Sequence, residues 1–435
     1  MRKQREVELL AIGAGPSNLA LGIALEDSGP AELARRSLLI ERHADTTWQR
    51  GMLMPWTRSQ VSFLKDLVTL RDPTSKFTFV NYLHSAGRLS DFINCGSFTP
   101  YRMEISGYLR WVADSLTKVK IEYGRQAVRV EPECDRRGAL TGWLTTLADG
   151  GTIASRYLVI AAGRDPYVPT VFAGLPDDLV IHSTRFGSGT AAMRADYPYR
   201  IAVVGAGQSA AEMLWAAHQR FGAASLTMIM RSIGLANYST SRFTNELYFP
   251  TFVDRFFGAR SAAREQVLAQ MHATNYSGLD ARLLDSLYEQ AYIERVTGRE
   301  RMCFLTNTDV AGAAMDAGEV VLTVRDRLTR ASQELRFDRV LLGTGFSKET
   351  PTMIAELVTK LGLDEVGVSR SYRLAGAGAD AACYLQGVNE ATHGIADSLL
   401  SVAAVRAGEI VGDIGRHRAS HGPWQRRAAG DPACG

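Results

Sequence analysis

Two strand–glycine–helix signatures constrain the fold of this chain more than any other feature. The apolar run VELLAI (7–12) leads into GAGPSNLALGIALED (13–27), and the run IAVV (201–204) leads into GAGQSAAEMLWAA (205–217). A glycine-rich turn between a buried strand and a small-residue helix is the context a dinucleotide-binding fingerprint requires. Gly13 permits the tight turn, and Gly15 lets backbone approach a pyrophosphate at the helix N-terminus, with Pro16 at the first helical position. Gly205 and Gly207 repeat the pattern. The third glycine position holds Asn18 in the first loop and Ala210 in the second. Alternating strand and helix patterns imply parallel sheets with crossover helices. The fold class expected is therefore α/β, with two Rossmann-like dinucleotide-binding domains.

The residue that ends the next strand separates the two loops by ligand. After the first, SLLIERH places Glu41 28 positions beyond Gly13, where a carboxylate accepts from ribose hydroxyls and repels a 2′-phosphate. This loop suits FAD. After the second, SLTMIMRS ends on Arg231, which suits the 2′-phosphate of NADPH, and Gln208 and Ser209 are in position to bond the pyrophosphate or nicotinamide end. RYLVIAAGRDPYVP (156–169) and DRVLLGTGF (338–346) read as buried strands closing on Gly163 and Gly345. The expected organisation is an FAD domain over 1–195, an NADPH domain over 198–338, and a return to the first domain over 339–415. Irregular residues 52–83 form an insertion in the first domain, and a helical segment, 233–300, interrupts the second; together these are the expected substrate-binding insertion. The Arg-, Gly- and Pro-rich residues 416–435 are expected to form a disordered tail.

Composition narrows the function classes. With 435 residues and 46% hydrophobic content the chain can build several cores, and a spread-out net charge of +3 offers no stripe for nucleic acid. Five scattered cysteines (95, 134, 303, 383 and 434) form no C-x-x-C, so no zinc site, disulfide framework or redox dithiol is indicated. The basic start runs directly into a first strand, no stretch approaches a membrane span, and a cytoplasmic setting is expected. An NADPH-reduced flavin without a dithiol points away from disulfide reductases. FAGLPDDLVIHSTRF (172–186) keeps the H-x-x-x-F ending of a Baeyer–Villiger motif at His182 and Phe186 but not its spacing.

On GAGPSNLAL, SQVSFLKDLVTLRDPTSKFTFVNYL, GAGQSAAE, FTNELYFP, ATNYSGLD, LLGTGF and ATHGIADSLLSVAAVRAGEIV, the chain resembles the flavin-dependent N-hydroxylating monooxygenases, the L-ornithine N5- and L-lysine N6-hydroxylases of siderophore pathways, over residues 7–412. In that family the first loop reads G-x-G-P-x-N, so Asn18 is the expected variant. The resemblance implies that NADPH reduces FAD, that O₂ adds to give a C4a-hydroperoxyflavin, and that the substrate's free amine takes the distal oxygen. The protein's share is to position the amine and exclude water. Carried over residue by residue, Lys65 pairs the α-carboxylate of the substrate, Gln60 lies beside the flavin, Asn245 and Asn275 hold the α-carboxylate and α-amino groups, and Ser401 lies near the substrate. Gln60, Lys65 and Asn275 are the implied catalytic set. Trp48 and Leu400 join the cofactor site, and Arg102 joins Arg231 against NADPH. A homotetramer is likewise implied.

Blander readings compete: Lys65 as a surface lysine, Asn245 and Asn275 as helix caps, Ser401 bonding its own backbone, Arg231 as a solvated cation. His393, which the implied mechanism does not need, is expected in a structural or flavin-adjacent place. The chain departs from the ornithine branch at ANYSTSRFTNELYFP (236–250), which has Arg242 and no acid before Glu246, and at Ala391, where arginine is common. Ornithine is the expected substrate, and lysine, one methylene longer, is its close rival. Diamines lack the carboxylate Lys65 would pair. A more distant alternative is an NADPH oxidase or another oxygenase of the same flavin class.

Overall fold

The run Val7–Ile12 is buried at every residue, Glu8 included, and becomes the centre of the first sheet. In the computed structural model, which describes residues 4–422 and Trp424 apart from 239–240, 276–277 and 377–379, strand Arg5–Ile12 lies between Ser37–Ile40 and Thr152–Ile160, parallel to both. Lys120–Glu122 extends one edge in parallel. On the other side, Thr152–Ile160 is shared: its first half pairs antiparallel with Leu140–Leu147, which pairs with Ala127–Cys134, and its second half pairs in parallel with Ala382–Leu385. The helix Pro16–Asp27 is buried almost all round, between this sheet and the C-terminal helix Ala403–His421. Trp143, fully buried, donates from Nε1 to the Ala382 carbonyl (3.1 Å) and ties the late strand to the early ones.

The second sheet is all parallel, in the order Met302–Leu305, Ser225–Ile229, Arg200–Val204, Arg339–Leu342, Val180–His182. An antiparallel meander, Thr308–Asp316, Glu319–Asp326 and Ser332–Phe337, packs against it through Val320, Leu322 and Val324. Its membership departs from the expected boundaries at both ends. Val180–His182 lies within the stretch assigned to the first domain, and Arg339–Leu342 within the expected return, yet the two strands pair with each other in the second sheet. An apolar run specifies a buried strand; which sheet receives it depends on partners far away in sequence.

Two further expectations are corrected. The tail begins as helix: Ala403–His421, held by the apolar stripe Ala407, Ile410, Val411, Ile414, runs on through residues 416–421, where His417 is buried. Trp424 is buried, donating to the Thr141 carbonyl (3.3 Å), while Arg156 donates to that of Gly422 (2.7 Å). Composition was a poor guide there because periodicity, not Arg and Gly content, decides a helix. Residues 425–435 lie outside those described. Cys134 is disulfide-bonded, whereas Cys95, Cys303 and Cys383 are free. Among the described residues no helix is long and apolar enough to cross a membrane.

Candidate functional site

At the first loop, Gly13 has φ +90°, and a Cβ there would lie 2.7 Å from the Ala161 carbonyl oxygen, so only glycine fits between the two strand ends. Gly15 caps the helix Pro16–Asp27, and a Cβ on it would meet nothing within 4 Å, which is the room a pyrophosphate needs against this N-terminus. Glu41 accepts from the N–H of Ala14 (2.9 Å) and of His43 (3.0 Å), which holds its carboxylate at the end of the second strand. Asn18 is fully buried. Its Nδ2 donates to the carbonyls of Ile12 (3.0 Å) and Gly13 (2.8 Å), and its Oδ1 accepts from Gln386 Nε2 (2.9 Å). Where a glycine would only allow close packing, this amide staples the turn. Trp48 is half-buried, its backbone N–H donating to Ser106 Oγ (3.2 Å).

The second loop is built on three small residues. Gly205 has φ +130°, and a Cβ there would sit 2.5 Å from the Gly343 carbonyl oxygen; a Cβ on Gly343 would sit 2.4 Å from Ala210 Cβ. Ala210 is therefore tolerated at the third position because its neighbour is a glycine 133 residues later, just past the strand Arg339–Leu342. Gly207 caps the helix Gln208–Arg220, with Ser209 half-buried in its first turn. Arg231 follows the strand Ser225–Ile229 with an exposed side chain, and its carbonyl accepts from Arg327 Nη1 (2.9 Å), which brings a second exposed guanidinium close. Arg327 is on the meander, so nothing in the loop's own sequence signals it.

Two residues expected at NADPH are occupied elsewhere. Arg102 is buried, and its Nη1 and Nη2 donate to the two carboxylate oxygens of Glu212 (2.8 and 2.7 Å), with Nη1 also reaching the Met52 carbonyl (3.2 Å). This bidentate pair ties the guanidinium to the helix of the second glycine loop. Gln208 donates to the same Glu212 (2.9 Å) and accepts the Asp280 N–H (2.8 Å). Both residues join elements: the helix Arg102–Ser115, the second glycine-loop helix, and the turn into helix Ala281–Thr297.

Of the residues expected at the substrate, Lys65 shares a pocket with Leu400, which was expected at the cofactor, while Asn245 and Ser401 do not line it. A small, mostly apolar pocket is lined by Val61, Phe63, Lys65, Leu67 and Ile105 with Leu400 from the late 3₁₀ turn Leu400–Val402. Lys65 is half-buried, its Nζ 4.2 Å from the centre of the Phe249 ring, and burial lowers its pKa. Gln60 Nε2 donates to Tyr238 Oη. Tyr238 directly follows Ala236–Asn237, which pairs with Gly278–Leu279; a Cβ on Gly278 would lie 2.5 Å from Tyr238 Cα. Ser401 is buried beside Leu400. Asn245 is exposed at the end of the helix Arg242–Asn245. Asn275 ends the helix Ser261–Asn275, and its side chain lies outside the described residues.

The sequence reading missed Asp66. Buried next to Lys65, it accepts from the N–H groups of Val68 (2.9 Å), Thr69 (2.6 Å) and Phe79 (2.7 Å) and from Thr69 Oγ1 (2.8 Å). One carboxylate thus shapes an irregular segment that has no sheet to hold it.

Comparison with known proteins agrees with this architecture. The model of the L-lysine 6-monooxygenase/L-ornithine 5-monooxygenase family matches residues 5–348. The chain belongs to that family. An L-ornithine N(5)-monooxygenase of Pseudomonas aeruginosa is 37% identical over 94% of each chain. The ornithine N-hydroxylase KtzI of Kutzneria sp. 744, solved with reduced FAD, NADP⁺ and L-ornithine, is 33% identical, with TM-score 0.88 over 95% of this chain and all of that one. An L-lysine 6-monooxygenase of Pseudomonas syringae is 30% identical, with TM-score 0.83 over 94% of this chain and 99% of that one. The protein is accordingly a flavin-dependent monooxygenase.

Within this family member, His182 and His393 take structural places. His182 Nε2 pairs with the Gly345 carbonyl (2.9 Å) and Nδ1 accepts the Thr184 N–H (3.2 Å), which clasps the edge strand to the loop after Leu342; Gly345 (φ +77°) also accepts from the Tyr167 N–H (2.9 Å). His393 is buried, stacks on Tyr372 at 4.1 Å and pairs through Nε2 with the Arg370 carbonyl (3.1 Å). Burial lowers its pKa from 6.5 to about 4, so it is neutral in the folded protein at pH 7. Because the unfolded chain protonates first, the stability His393 contributes is present above pH 6.5 and is lost as pH falls from there towards 4. His393→Gln is expected to flatten the stability profile between those pH values; equal acid sensitivity of both proteins in urea melts would contradict this assignment.

Proposed function

We propose that this chain hydroxylates the side-chain amine of L-ornithine, using FAD, NADPH and O₂ and giving N5-hydroxyornithine. The observation that carries the substrate class is Lys65. A half-buried ammonium whose pKa is lowered by burial, in an apolar pocket where its facing group is an aromatic ring, gains most from a ligand that brings a carboxylate. An amino acid has one and a diamine does not. Reduced flavin, reacting with O₂, supplies the oxygen atom. The rest is positioning: Lys65 and Ser401 orient the amino acid, Asn245 and Asn275 are assigned its α-carboxylate and α-amino groups, and Leu400, Phe63 and Leu67 keep water from the reacting amine. That amine must be delivered uncharged, since a protonated nitrogen has no lone pair to attack with. Lysine is the second reading, because one methylene is worth only about 1–3 kcal/mol of discrimination. The test is hydroxylamine formation with ornithine, lysine, putrescine and cadaverine; NADPH consumption with no hydroxylated product from any of them would defeat the assignment.

For the electron donor we assign Arg231 to the 2′-phosphate of NADPH, its exposed guanidinium lying at the end of the strand after the second loop. Arg231→Ala is expected to lose about tenfold or more of the preference for NADPH over NADH, the worth of one charge-assisted pair. Flavin-reduction rates with both donors measure it; an unchanged ratio would move the phosphate to another cation, with Arg327 the next to replace. The enzyme is proposed to work in the cytoplasm as a homotetramer, for which sedimentation of the holoenzyme is the direct check.

A further inference from the structure

The geometry points to Arg406 as the positioning residue for the FAD loop, acting on it through Gln386 and Asn18 and directly through Ser17; this rests on the reading of residues 13–18 as the FAD site. Arg406 is on the C-terminal helix and only 1% exposed, among the largest fully buried side chains of the protein. Each nitrogen of its guanidinium has its own acceptor. Nε donates to Gln386 Oε1 (3.0 Å), Nη1 to Asp397 Oδ1 (2.8 Å), and Nη2 to Ser17 Oγ (2.8 Å). Gln386 then donates from Nε2 to Asn18 Oδ1 (2.9 Å), and Asn18 donates to the carbonyls of Ile12 and Gly13. The positive charge is matched by Asp397, also 1% exposed, whose second oxygen accepts the Asn389 N–H (2.7 Å).

The direction of this chain of bonds identifies what it serves. Asn18 has no exposed surface and its amide is spent on protein groups, so it does not itself touch a ligand. Its two donor bonds fall on the carbonyls that bracket the Gly13 turn, so they set the turn that presents Gly15. A buried charged network is costly compared with an apolar core unless its members are paired, and what it supplies in return is a single orientation. The same guanidinium fixes the stretch that runs from Asp397 to Arg406 and contains Leu400 and Ser401. One side chain therefore sets the distance between the loop proposed for the pyrophosphate and the turn proposed for the substrate.

The experiment is a double-mutant cycle on FAD binding with Asn18→Ala, Gln386→Met and both together, using apoprotein titrated with FAD and followed by flavin fluorescence, with NADP⁺ affinity and apoprotein melting measured alongside. Each single change is expected to weaken FAD binding about tenfold, the worth of a buried hydrogen bond left unmade, and the pair little more than either alone. NADP⁺ affinity should hold, since the second loop is outside the network. Unchanged FAD affinity in Gln386→Met, or losses that simply multiply in the double variant, would overturn the role given to Arg406. Should Asn18→Ala fail to fold, Ser17→Ala replaces it in the cycle, with a smaller but again non-multiplying loss expected. A wild-type chain that takes up no FAD defeats the cofactor reading itself; one that takes it up while every variant does so equally defeats only this inference.

Discussion

Lys65→Ala is expected to raise the KM for ornithine roughly a hundredfold while NADPH oxidation continues, because truncating one partner of a buried charge pair costs about 2–5 kcal/mol. Lys65 meets the ring of Phe249 and lines a mostly apolar pocket in which, among the described residues, it is the only cation and Asp66 the only acid. The loss should fall on the side of the substrate, since Lys65 lines the pocket with Leu400 and is not part of the second glycine loop. Hydroxylated product per NADPH consumed should therefore drop with the loss of affinity. Lys65→Arg keeps the charge but widens it into a planar fork, and is expected to recover part of the affinity. Steady-state assays that follow hydroxylamine and NADPH together decide the matter: an unchanged KM for ornithine would remove Lys65 from the substrate site.

The second large effect is on stability. Glu212→Ala leaves the Arg102 guanidinium buried without its carboxylate, and breaking such a pair costs about 3–5 kcal/mol. Gln208 loses a partner in the same change, so the turn at Asp280 is loosened too. Replacing both members with apolar residues, Arg102→Met with Glu212→Leu, is expected to cost much less than Glu212→Ala alone, because no charge is stranded. Urea unfolding of the holoenzyme and of each variant measures this. A Glu212→Ala protein as stable as the parent would mean that Arg102 finds solvent or another anion, and the pair would then not be the pin between the two nucleotide-binding parts that its geometry describes.

Arg102 also shows where reading the chain alone runs out. The family resemblance implies a coenzyme arginine there, but its partner Glu212 is 110 residues away on a helix whose own sequence announces only a glycine loop. Gln208 poses the same problem: its type and position suit a phosphate, and nothing local tells that it also bonds Glu212 and the Asp280 N–H. Strand Arg339–Leu342 was recognised as a strand and given to the wrong sheet. By contrast His393 needed only the observation that the chemistry had no use for it, and it is a buried, neutral histidine stacked on Tyr372.

What the amino-acid order determined unaided was whatever a dozen neighbouring residues can specify: the two glycine turns with their positive φ, the helices they open, the acid or base that ends the following strand, and from these a flavin and a nicotinamide partner. Those are requirements of short-range sterics and of charge at a helix end, and they are met within one strand–turn–helix unit. Only the tertiary structure decided why Asn18 stands in place of a glycine, which carboxylate Arg102 pairs with, and how Lys65 and Leu400 come to share a pocket. Each of these depends on which distant group arrives first at a buried donor or acceptor, and burial, not sequence proximity, makes that pairing obligatory.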